Sequence, residues 1–83
     1  MTEDEVVELL EEIEHMDTRR TFDERQVRSW HRVAAVAEWD LRSALRAVAE
    51  HYARSNSWIM PADITAGIRA HRHTNPWVGT RWV

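Results

Sequence analysis

Residues 27–52 read VRSWHRVAAVAEWDLRSALRAVAEHY, and this stretch decides the fold. Its first half sets Val27, Trp30, Val33, Ala34 and Ala37 at steps of three and four, the spacing of one buried helix face. Its second half repeats the pattern with Leu41, Ala44, Leu45, Val48 and Tyr52, while Arg42, Arg46 and Arg54 fall mostly on the opposite flank. Between the halves, Glu38-Trp39-Asp40 breaks the phase, and Asp40 is a good N-cap for the second helix. Ser55-Asn56-Ser57 ends that helix, because short polar side chains compete for its backbone hydrogen bonds.

Outward from this pair the same period continues. Thr2 and Glu5 stand at capping-box spacing before Val6, Leu9, Leu10, Ile13 and Met16, which predicts a helix from about residue 3 to 16. Asp17-Thr18-Arg19-Arg20 is the break after it. Thr21 and Glu24 repeat the capping-box spacing and predict the start of the next helix. On the far side, Trp58-Ile59-Met60 reads as a loop plug leading to Pro61. Pro61 suits the first turn of a fourth helix with Ile64 and Ile68 inward. Gly67 weakens that helix unless it permits a close helix crossing. After His73 the pattern fails. The expectation is an all-α, compact four-helix domain over residues 1–73, with a short irregular aromatic tail over residues 74–83.

Composition bounds what such a domain does. Its 83 residues make one small domain that buries about 60–65% of its unfolded surface. Without cysteine there is no disulfide, thiolate metal site or cysteine nucleophile. With 43% hydrophobic residues the chain is too apolar for disorder, yet no apolar run reaches the roughly 18 residues that span a bilayer. The acidic N-terminus is the reverse of a targeting signal, so the expected location is cytoplasmic, away from membranes. All eleven basic residues are arginine. Residues 1–17 carry a charge of −8 and residues 18–83 a charge of +5, so the two parts either attract each other or address different partners.

The chemistry-bearing residues point to binding. No Gly-rich phosphate loop and no nucleophile elbow occurs, which argues against an enzyme and against a nucleotide cofactor. His71-Arg72-His73 does not chelate, because residues i and i+2 of a helix point about 200° apart; no metal and no cofactor are expected. Five tryptophans are a surplus for this length. Trp30 reads as core and Trp39 as a cap on the core end. Trp77 and Trp82, with Arg81 between them, lie outside any periodic element, and Trp and Arg are frequent interface anchors. Helices two and three, with their short turn, also superficially resemble a helix-turn-helix whose Arg42, Ser43 and Arg46 would contact DNA, although the turn lacks the usual glycine and the net charge is acidic. The acidic outer face of helix one (Glu8, Glu11, Glu12) is either a solvated surface or a docking strip for a basic partner.

Taken in order, the amphipathic first helix, Val27 and Trp30, the Trp39-Asp40 turn, Ala47-Val48, His51-Tyr52 and the approach to Met60-Pro61 and Ile64 resemble the small phage proteins that load and inhibit the replicative DNA helicase. The all-arginine composition is compatible with the phages of actinobacteria. The resemblance covers residues 5–68 and implies a helical, non-enzymatic adaptor that holds a replicative helicase and delivers it to an initiator. In that family a segment after the helical domain contacts the helicase. That segment lies beyond the resembling residues; if the role persists here, the expected contacts are Trp77, Arg81 and Trp82, with Arg69 and Arg72 beside them, although the family's tail is longer than the ten residues after His73. The alternatives are a small DNA-binding regulator using helix three, or a phage protein that captures another host factor. The aromatic surplus would also suit a homodimer.

Overall fold

A computed structural model describes residues 1–74. It contains four helices of 14 residues each: α1 Glu3–Met16, α2 Glu24–Ala37, α3 Leu41–Arg54 and α4 Pro61–Thr74. No strand occurs among the described residues, so the chain is all-α as its periodicity requires. None of these helices is long and apolar enough to cross a membrane. The last helix runs one residue past the expected end at His73.

Local chemistry sets the boundaries. At the start of α1, the Thr2 hydroxyl accepts from the Glu5 amide at 3.1 Å and the Glu5 carboxylate accepts from the Thr2 amide at 2.8 Å. This is the reciprocal pairing that satisfies two otherwise orphaned donors. The expected pairing of Thr21 with Glu24 does not form. Asp23 and Gln26 cap α2 instead, at 2.8 and 3.0 Å. The reason is tertiary: the Phe22 ring packs edge-on against Trp30, 5.7 Å between centroids, and its amide donates to the Glu14 carboxylate. Those contacts draw residues 21 and 22 away from the helical path, and the next good acceptor is Asp23. α2 closes at Glu38, which takes the left-handed conformation (φ 58°, ψ 45°) that usually falls to glycine. Asp40 caps α3 through the Ser43 amide at 3.1 Å.

The helices pack as two layers. α1 lies against α2 and α3, and α4 against α3 and α2. Among the described residues, α1 and α4 are one diagonal and α2 and α3 the other. The chain therefore passes from α2 to α3 under the end of the core, and Trp39, 3% exposed, fills that crossing. Its indole N–H donates to the Thr65 hydroxyl at 2.9 Å, and its ring meets Trp30 edge-on. Val6, Leu9, Leu10 and Ile13 of α1 meet Ala44, Ala47 and Val48 of α3 and Ile64 and Ile68 of α4 in the core. Gly67 supplies the close crossing: a Cβ there would stand 3.0 Å from the Ala47 Cβ. Met16 departs from the stripe expected of it and is 42% exposed, because it lies in the last turn, beyond the buried face that ends at Ile13.

Candidate interaction surface

The connections α1–α2 and α3–α4 meet at one end of the bundle, where charged side chains lock them. Asp17 is 5% exposed. Its carboxylate accepts from Nε and Nη2 of Arg19 at 2.8 and 2.7 Å, from the Arg19 amide at 3.2 Å and from the Tyr52 hydroxyl at 3.1 Å. Arg19's hydrogen bonds hold the Asp17 carboxyl well below the usual carboxylate range, with the Tyr52 hydroxyl adding to the effect against desolvation, and the same pairing raises Arg19. The second loop is tied in by Arg19 Nη2 donating to the Asn56 carbonyl at 2.7 Å and by the Ile59 amide donating to the Tyr52 oxygen at 3.2 Å. His51 Nε2 donates to the Ser57 carbonyl at 2.7 Å, which fixes the proton on that nitrogen.

Arg20 completes the lock. It is 7% exposed, yet no carboxylate lies within ion-pair distance of it among the described residues. Its Nη1 donates to the Ile59 carbonyl, and its guanidinium lies 4.8 Å from the Phe22 ring centre and 5.0 Å from that of Trp58. Two aromatic faces and a carbonyl replace the counter-ion. Of the expected loop plug only Ile59 is buried, completely; Trp58 and Met60 on either side of it are 52% and 50% exposed. A rigid base thus presents two large apolar side chains, with Met16 nearby on the rim of the same end. Asp17, with every approach occupied by a donor and its proton affinity lowered, is a structural anchor and no general base.

The sequence-predicted residues lie elsewhere. Ser43, Arg46 and Arg72 line one cleft between α3 and α4, so the structure joins residues expected in two separate sites. Arg46 Nη1 donates to His71 Nε2 at 2.6 Å, and the Ser43 amide is engaged by Asp40. The Asp40 carboxyl is held down by the Ser43 side chain and then by that amide, with Arg72 contributing charge. Arg42 and Arg69 are exposed on α3 and α4 and do not line this cleft. α2 and α3 do not pack on each other, unlike the helices of a helix-turn-helix, which rest together at their turn. Trp77, Arg81 and Trp82 lie outside the described residues. No group of three His, Cys, Asp or Glu placed to hold a metal occurs among the described residues. Sequence reading missed Asp17, Arg20 and Tyr52 as a unit; its only trace was an Arg-Arg pair directly after a helix end. No family model, curated protein or solved structure matches the chain.

Proposed function

We propose that this protein is a non-enzymatic adaptor that works by binding another protein through the loop end of the bundle. The observation that carries the reading is the half-exposed Trp58–Met60 pair, held over buried Ile59 by the Arg19–Asp17–Tyr52 and Arg20 contacts. Aromatic side chains, Met and Arg are the types enriched at protein interfaces, and a fixed base keeps their ordering entropy low on binding. The partner we assign is a replicative DNA helicase, which rests on the sequence resemblance to helicase loaders. Arg69 and Arg72 stand towards the other end of α4 and, with Trp77, Arg81 and Trp82 beyond the described residues, are the second candidate contacts. DNA binding through Arg42, Ser43 and Arg46 is the weaker reading, since Arg46 and Ser43 already have partners within the chain.

Size-exclusion chromatography with light scattering, mixing the protein with the replicative helicase of its source cell with and without ATP, tests this. The expected result is a co-eluting complex that Trp58→Ala with Met60→Ala abolishes while far-UV circular dichroism stays unchanged. Separate peaks under both conditions would remove the helicase as partner. A complex indifferent to the double substitution would move the contact to the α4 end.

A further inference from the structure

The charge asymmetry of the sequence becomes, in the fold, two matched strips on neighbouring helices. The outer face of α1 carries Asp4, Glu8 and Glu11, all exposed, at steps of four and then three. The outer face of α2 carries Arg25, Arg28 and Arg32, also exposed, at steps of three and then four. Read in opposite chain directions, the two spacings coincide. No residue of either strip makes an ion pair within 4.0 Å among the described residues, where the ion pairs are Glu12–His15 and Asp17–Arg19, although Glu3 lines a groove with Arg28 and Arg32.

The heights also agree. α1 and α2 run antiparallel, with the Met1 nitrogen level with the Trp39 carbonyl at one end and Glu14 level with Phe22 at the other. Interpolated between these anchors, Glu11 stands within about one residue rise of Arg25, Glu8 within about two of Arg28 and Asp4 within about three of Arg32, roughly 1–5 Å. A two-fold axis parallel to the helices leaves heights unchanged while it exchanges left for right. It therefore sets the α1 strip of one copy against the α2 strip of another, twice over, as an isologous interface requires. One turn beyond Arg32, Val36 is 82% exposed, the most exposed large apolar side chain among the described residues, and on α1 Val7 is 37% exposed. Both flank the strips and would be covered by the same contact.

We infer that the chain forms a two-fold dimer in which the Asp4–Glu8–Glu11 strip of one copy lies antiparallel along the Arg25–Arg28–Arg32 strip of the other. This is independent of the adaptor reading, because it uses the α1–α2 layer and not the loop end. Two 14-residue helices side by side, each about 21 Å long, offer an interface at the small end of the specific range. The dimer is accordingly weak and salt-sensitive.

Analytical ultracentrifugation of the full chain across a concentration series, at about 0.05 M and about 0.5 M salt, tests it. A dimer at low salt whose dissociation constant rises by tenfold or more at high salt is expected. Glu8→Arg alone and Arg28→Glu alone should each weaken it by tenfold or more, and the two substitutions in one chain should restore it, since position 8 of one copy faces position 28 of the other. Glu11→Arg with Arg25→Glu provides a second swap should either member of the first pair fail to fold. A monomer throughout the low-salt series, a dimer untouched by the single substitutions, or double variants no tighter than the singles would each overturn the inference. A monomer whose α2 strip instead binds duplex DNA would also overturn it.

Discussion

The two ends of the bundle are closed by opposite means. At the α2–α3 end a single aromatic side chain, Trp39, fills the crossing and makes one neutral hydrogen bond to Thr65. At the loop end an aspartate, two arginines and a tyrosine join segments 35 to 40 residues apart, and the aromatic side chain, Trp58, is left half outside. An apolar plug derives its strength from burial and shape, which are nearly blind to pH and salt. A polar clasp derives its strength from charge-assisted hydrogen bonds, which respond to both. The difference also shows at the surface: one end buries its aromatic side chain, and the other leaves Trp58 and Met60 half exposed.

The contrast is broken most severely at Trp39. Trp39→Ala should destabilise the fold by about 3–5 kcal/mol in denaturant titration, whereas Trp39→Phe, which keeps most of the volume and loses the bond to Thr65, should cost about 1–2 kcal/mol. Next comes Asp17→Asn, whose signature is pH. Folded Asp17 titrates below its unfolded value of about 3.9, so its contribution is fully present above that value and is lost as pH falls through the folded value. Wild type should therefore lose stability on acidification below about pH 4, and the variant should be weaker at neutral pH with that part of the acid slope removed. Thermal melts from pH 7 to pH 2 would sharpen the comparison, and an equal acid slope in both proteins would contradict it. The caps come third: Asp23→Ala at one end and Asp40→Ala at the other should each cost about 1 kcal/mol, showing that the ends differ in closure and not in helix initiation. The smallest effect belongs to Trp58→Ala, under about 1 kcal/mol, since half of that side chain is already in water and its ring faces only the guanidinium groups of Arg19 and Arg20.

What could be read from sequence was what is local. The apolar stripes, the Thr2–Glu5 pairing and the Asp40 cap are decided within a few residues, and apart from Met16 each stands where the spacing put it. The start of α2 was not local: Thr21/Glu24 and Asp23/Gln26 both satisfy a capping box, and Phe22 chose between them by packing on Trp30. Trp39 and Trp58 both sit in connections of similar polarity, and only the diagonal crossing of α2 and α3 buries one of them. The clasp was invisible for the same reason. Nothing near Arg20 in sequence announces that the Ile59 carbonyl will be its acceptor. Of the candidate site, the types of residue were legible: Trp and Arg were the expected contacts, and among the described residues that combination also occurs at Trp58 with Arg19 and Arg20, which the sequence did not bring together. The predicted Trp77, Arg81 and Trp82 lie outside the described residues.

The diagonal crossing has a consequence for the order of events in folding. The hairpin of α1 with α2 and that of α3 with α4 each form from contacts between neighbours in the chain. Trp39 bridges the two: its ring meets Trp30 of the first hairpin, and its indole N–H donates to Thr65 of the second, 26 residues away. Only when the two hairpins join is its ring covered. Its bond to Thr65 is therefore expected to form late, after the transition state. Stopped-flow measurements on Trp39→Phe should find the lost stability almost wholly as faster unfolding, with the refolding rate little changed. The side chain that seals the core would then set how long the folded protein lasts and have little say in how fast it is made.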